Sequence, residues 1–246
     1  MHALNSEHRQ LVPSYVNFSA RMAMRAFRGI AIGLLVALTA HAATAQSTRH
    51  FRNSWFWGAK GGAMLYQVQS VNGTALAPTA GIDWLITRTH GGLYVAYDYA
   101  FLNEAVLVND SVGPTAFTPT GRQVNLKDMH RWTMLGMLFP MPSRALQPYL
   151  GLGFELAYIP TAEPLGAYAN RLQQDLVLNT ISTFRASASP HAMVGIQWRL
   201  PMVSMFAQAN ATSAQQNFFL YTGSRFRTMV EAGVRYNIGS SIDPMR

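Results

Sequence analysis

Three observations predict an all-β fold for this chain of 246 residues: strict period-two alternation in repeated segments, only 12% charged residues in a 49% hydrophobic sequence, and no apolar run of helical membrane-spanning length. The architecture they predict is an eight-stranded antiparallel up-and-down transmembrane β-barrel preceded by a signal peptide. An ordinary soluble domain carries about 25% charge, so the deficit suits a surface that water does not wet all over. The formal net charge of +8 comes from Arg and Lys scattered singly, with no basic run interleaved with aromatics. That pattern argues against nucleic acid as a partner. There is no Cys, so an exported form owes nothing to disulfides.

The first element is the leader. "RMAMRAFRG" (21–29) is a basic segment, "IAIGLLVALTA" (30–40) an apolar one, and Ala43-Thr44-Ala45 a small-x-small site. Residues 1–45 are therefore expected to be an N-terminal extension and secretory signal cleaved after Ala45, with translation starting at Met22 or Met24. The apolar segment is too short for a membrane anchor, which needs about 20 residues. Residues 46–246, with 15 Lys+Arg and 10 Asp+Glu, are the expected barrel domain, its strands running over about 55–239.

Four strands are clear. In "PYLGLGFELAY" (148–158), Leu150, Leu152, Phe154 and Leu156 alternate with Tyr149, Gly151, Gly153 and Glu155. "GGLYVAYDYAF" sets Leu93, Val95, Tyr97, Tyr99 and Phe101 against Tyr94, Ala96 and Asp98. "SASPHAMVGIQWRL" sets Ala192, Val194, Ile196 and Trp198 against Ser187, Ser189, His191, Gln197 and Arg199. "RFRTMVEAGVRYNI" sets Phe226, Val230, Val234, Tyr236 and Ile238 against Arg225, Arg227, Glu231 and Arg235. Weaker alternation marks "SWFWGAKGGAMLYQV", "PTAGIDWLIT" and "VSMFAQANA". An eighth strand lies around "HRWTMLGMLF", where the parity is blurred but Trp132, Met134 and Leu138 are expected to share a face.

Short joints fall at Arg88-Thr89-His90, at "PMPSRA" and at Pro201, and longer ones at "NDSVGPTAFTPTGRQ" and 160–184. Modest joints are expected near Asn72-Gly73 and Thr222-Gly223-Ser224. Short turns at one end and longer loops at the other are the signature of an up-and-down membrane barrel. Within 160–184, Leu165, Tyr168, Leu172 and Leu176 stand at helical spacing, so that loop is expected to carry a short helix.

The two faces decide which medium each meets. One face holds Gly, Ser and charge of both signs: Lys60, Asp83, Asp98, Arg131, Glu155, Arg199, Glu231 and Arg235. Isolated charges separated by glycine suit a narrow interior where they pair, with Arg235 or another lumen base neutralising Glu155. The opposite face is nearly charge-free, as lipid requires. If the first strand runs outward, Trp57, Trp84, Trp198 and Tyr236 form one interfacial belt and Tyr99, Phe101, Tyr158 and Phe226 another, with about 9–11 residues per strand between them.

"PYLGLGFELAY", "AMVGIQWRL" and "VEAGVRYNI" resemble the strands of the small outer-membrane β-barrel domain proteins, the OmpA/OmpX-like group of Gram-negative bacteria; the resemblance spans roughly residues 55–238. It implies residence in the cell outer membrane, a porin-like barrel with outer-membrane lipid and lipopolysaccharide around it, and assembly by periplasmic chaperones and the barrel-assembly machinery. That group commonly ends on an aromatic residue read by the machinery, whereas this chain continues past Ile238 with "GSSIDPMR" and offers Tyr236 as an internal equivalent. No cofactor or metal site is expected, and the expected state is a monomer. A barrel of eight strands is just wide enough for side chains to fill, which argues against a wide pore.

Three classes of function remain open on the sequence: a non-enzymatic barrel serving envelope integrity or surface interaction, a lipid-modifying acyl hydrolase, and a soluble periplasmic barrel for an apolar ligand. The hydrolase would use Ser189, His191 and Glu155, which share a face on neighbouring strands; Pro190 between the first two disturbs that geometry.

Overall fold

The computed structural model describes residues 53–68, 71–110, 121–220 and 226–240. The chain divides into Met1–Gln46 and Ser47–Arg246. The first unit, and with it the leader and its cleavage site, lies outside the described residues, as do Arg225 and the 222–224 joint.

In chain order the elements are β1 (Ser54–Val68), β2 (Val71–Thr87), β3 (Gly91–Asn109), β4 (Gly121–Leu138), β5 (Leu146–Tyr158), β6 (Thr161–Pro164), α1 (Arg171–Phe184), β7 (Ala186–Arg199), β8 (Val203–Ser213) and β9 (Phe226–Ser240). All strand pairs are antiparallel, and the sheet order closes on itself through β1–β9 and β3–β4. Eight strands make the barrel that the alternation predicts. The short β6 is additional: it pairs with β4 from Val124↔Pro164 to Lys127↔Thr161, beyond the end of β5. The joint expected near Asn72-Gly73 falls just before them, between the end of β1 at Val68 and the start of β2 at Val71.

Side-chain alternation divides the barrel wall into two faces. Outward residues are apolar and bare, among them Trp57, Ile82, Phe154, Val194, Val230 and Leu152, the last 71% exposed. Inward residues include Lys60, Asp98, Arg131, Glu155 and Arg235, all buried. A soluble lipocalin-like barrel requires the reverse arrangement, so that alternative is overturned. Among the described residues no helix is long and apolar enough to cross a membrane.

β4 changes face partway along. Ala100 pairs with Met129 and Asn103 with Lys127, so two residues of β3 face the single residue Asp128 of β4. Asp128 takes φ 59°, the left-handed region that Asp tolerates better than bulkier residues. Buried positions on β4 therefore shift from even (Arg122, Val124, Leu126) to odd (Met129, Arg131, Thr133, Leu135) at this bulge. Below it, Trp132, Met134 and Leu138 share the outward face, as expected.

The strands are longer than a bilayer needs. β3 has 19 residues and β4 has 18, roughly 60 Å of strand at about 3.3 Å per residue. Past the bulge the polarity reverts to that of a soluble protein: Asn103, Gln123 and Lys127 are exposed. Leu102, Val106, Val124 and Leu126 there form an apolar interior. α1 covers this interior with Val177 and Ile181, and Phe218, Phe219 and Leu220 pack into it. The helix lies later in the loop than its sequence spacing suggests, and Leu172 and Leu176 are on its exposed side. Asn170 caps it by accepting from Gln173 N at 2.8 Å.

Replacing Leu152 with Arg puts a charge mid-strand on the outward face. Folding into phospholipid vesicles, read by urea titration of the heat-modifiable gel shift, should weaken by about 2–4 kcal/mol. A water-facing position would change by no more than about 0.5 kcal/mol.

Candidate functional site: a charge ladder in the lumen

Inward-facing charges from six of the eight barrel strands meet along the axis in three groups. Nearest the short-turn end, Arg235 of β9 directs Nε to both oxygens of Asp83 on β2, at 3.0 and 3.2 Å. Its Nη1 donates to Gln197 Oε1 at 3.3 Å, and the guanidinium lies 3.7 Å from the centre of the Phe206 ring. Arg235 is completely buried. Gly58 makes this pair possible, because a Cβ there would collide with the Asp83 carboxylate.

In the middle, Lys60 of β1 donates to Asp98 Oδ2 at 2.9 Å and to Glu231 Oε2 at 3.2 Å. Glu231 also accepts from Gln208 Nε2 at 2.8 Å and Asn210 Nδ2 at 2.7 Å. Gly81, directly opposite Asp98, leaves room for that carboxylate.

The third group centres on Glu155 of β5. Arg131 Nη2 donates to its Oε2, and Arg227 Nη2 to Oε1 at 3.2 Å. Thr212 Oγ1 donates to Oε2 at 2.9 Å, and His191 Nδ1 lies 3.1 Å from the same oxygen. Arg131 also reaches to 3.9 Å from Asp98, linking this group to the middle one. A void lined by Met64, Arg131, Glu155, Thr212 and Arg227 sits here, with room for about one water molecule.

Lys60, Arg131, Arg227 and Arg235 thus balance Asp83, Asp98, Glu155 and Glu231. Above the ladder lies the apolar interior under α1; below it a second apolar cluster includes Phe56, Leu85, Tyr94, Leu135, Phe139 and Tyr149.

Some expected residues fall elsewhere. Arg235 does not neutralise Glu155; register places it and Asp83 on either side of Gly58, and Arg131 and Arg227 take Glu155 instead. Arg199 stands at the rim of the short-turn end, where its Nη1 donates to Pro142 O at 3.0 Å. Arg227 was missed as a ladder member, although its parity with Glu231 and Arg235 marks it as inward-facing. Also unforeseen is Arg122, which pairs with Asp110 at 3.1 Å and donates to Leu165 O and Gly166 O, fixing the loop before α1.

Of the Ser-His-Glu candidates, Glu155 and His191 meet, but the Ser189 hydroxyl has no hydrogen-bond partner and is buried. Register puts Ser189 directly opposite Glu155 rather than at the imidazole. Among the described residues no group of His, Asp and Glu is placed to hold a metal ion.

On the outward face, Trp57 lies between Trp84 and Tyr236 in register and stacks on Trp84 at 6.0 Å between ring centres. Trp198 is bare near the same end of β7. Toward the other end, Tyr99, His130 and Tyr158 are in register across β3, β4 and β5. Tyr97 Oη lies 2.5 Å from His130 Nδ1, and Phe101 and Trp132 join the same cluster.

A closed register, an apolar exterior and a charged interior define a small membrane-spanning β-barrel, the class of fold that the sequence resemblance implies. Among solved structures, the chain is similar to Neisserial surface protein A (13% identity, 75% of this chain and 97% of that one, TM-score 0.47). It is also similar to the outer membrane protein OprG from Pseudomonas aeruginosa (14%, 79% and 100%, 0.47) and to Ail, the attachment invasion locus protein of Yersinia pestis (11%, 76% and 100%, 0.40). No family model and no curated protein matches the chain. The fold assignment rests on the barrel's own register and faces.

Removing one member of a buried pair is costly, whereas removing both is not. Arg235→Met should lower folding stability in vesicles by about 3–5 kcal/mol, and adding Asp83→Leu should recover most of that loss. Urea midpoints of the single and double variants check this.

Proposed function

We propose that the protein is a non-enzymatic barrel of the bacterial outer membrane, with a role in envelope integrity or in surface interaction through its long-loop end. The observation that carries this reading is the ladder: eight opposed charges, paired in a narrow lumen with apolar side chains packed above and below them. Such an interior holds the wall together and leaves no path for a solute. Only helices and closed barrels satisfy their backbone groups in lipid. Among bacterial membranes, single-chain barrels of this kind belong to the outer one, and the expected export leader agrees with that location.

In this reading the short-turn end faces the periplasm and α1 faces the outside. Outer-membrane lipid and lipopolysaccharide contact the bare apolar wall. β9, with Tyr236 and Ile238 outward near its end, is the strand offered to the assembly machinery. The protein works as a monomer.

The hydrolase alternative has one favourable contact, His191 to Glu155, but Glu155 is committed to two arginines and Ser189 is unconnected to the imidazole. Purified protein reconstituted in planar bilayers should show no stable conductance step, and a persistent open channel would overturn the sealed-lumen reading. Ser189→Ala and His191→Ala should leave cellular lipid A and phospholipid composition as in the parent strain. A loss of acyl modification in either variant would move the assignment to an enzyme.

A further inference from the structure

The charges of the barrel are unevenly divided. In the lumen they cancel, four against four. Among the described residues at the long-loop end, charges of both signs mix: Glu104, Asp110, Asp128, Glu163 and Asp175 stand with Arg122, Lys127, Arg171 and Arg185. The short-turn end carries Arg88, Arg144 and Arg199 with His90, and no carboxylate among the described residues. Arg88, His90 and Arg144 are exposed, and neither arginine forms an ion pair with a described residue. Their turns are braced: Arg88 N donates to Gly91 O at 2.7 Å and Arg144 N to Met141 O at 3.3 Å.

We propose that this arginine rim binds the phosphates of anionic phospholipids in the leaflet bordering the short-turn end. The inference rests on the membrane reading above. Its second support is continuity with the tryptophan belt: Arg199 directly follows the bare Trp198, and Arg88 lies four residues past Trp84. Indole rings settle at headgroup level, so guanidinium groups one turn further along the strands stand among the phosphates, which they bind through paired N–H donors. A zwitterionic headgroup also has a phosphate, but its ammonium cancels the attraction; an anionic one leaves it intact.

The test uses full-length protein in phosphatidylcholine vesicles, with tryptophan fluorescence quenched by dibrominated phosphatidylglycerol or dibrominated phosphatidylcholine at equal mole fraction. The anionic quencher should be about twofold more effective at low salt, and the difference should shrink at about 0.5 M salt. Arg88→Gln with Arg144→Gln should remove the preference while leaving quenching by phosphatidylcholine unchanged. Equal quenching in the unaltered protein overturns the proposal, as does a preference that survives both salt and the double substitution. If neither lipid quenches, the membrane reading itself fails. Equal quenching together with salt-sensitive sedimentation on purified peptidoglycan, lost in the double variant, assigns the rim to that acidic polymer and overturns the lipid assignment.

Discussion

Everything in this structure depends on one constraint: a chain that crosses hydrocarbon with strands must leave no backbone N–H or C=O unpaired, so its sheet must close. Closure is made by β1 and β9, whose register runs from Ser54↔Ser240 to Leu65↔Thr228. The ends of the described barrel therefore meet at the short-turn end, and each strand gains a neighbour on both sides. Once the wall is closed, alternation sends every second residue into a cylinder too narrow for bulk water. The same alternation sends the others into lipid.

That geometry dictates the chemistry of the lumen. A lone charge there would carry the desolvation cost of burial without compensation, so the charges appear in opposed sets fixed by register. Asp98 stands opposite Arg131, and both Gly58 and Ser204 stand opposite Arg235. The small residues beside the ionic ones are part of the same solution: Gly58 and Gly81 leave the volume into which the carboxylates of Asp83 and Asp98 lean. Buried ion pairs add little net stability relative to apolar packing. Their value here lies in specifying the register, since a slip by one residue would turn each inward charge toward lipid.

Much of this was legible in the sequence because period two is a local property. Parity alone placed Leu150, Leu152, Phe154 and Leu156 outward and Glu155 inward, and the burial of β5 follows that division. What parity could not supply was partnership. Which cation reaches Glu155 depends on stagger between strands far apart in sequence: of the lumen bases that could neutralise it, Arg131 and Arg227 do and Arg235 does not. The parity of 130–139 was blurred because both faces of β4 are apolar there: Leu135 and Met137 face the lower apolar cluster while Trp132, Met134 and Leu138 face out. The helix was anticipated, but its buried face was set by Val177 and Ile181 against the apolar interior rather than by the more numerous leucines.

The bulge marks where the solvent changes. Below it the barrel is apolar outside and polar inside; above it Asn103 and Lys127 face out while Leu102 and Leu126 face in. One continuous pair of strands thus serves two media, and the inversion is achieved by composition on β3, which keeps its parity, and on β4 by a change of face at the bulge, where two residues of β3 stand against one of β4. The bulge lies beside the aromatic row that Tyr99, His130 and Tyr158 form across β3, β4 and β5. The long-loop end can therefore be built like a small water-soluble domain, with its own apolar interior and a helix across it. The transmembrane portion below supplies the rigid base on which that domain stands.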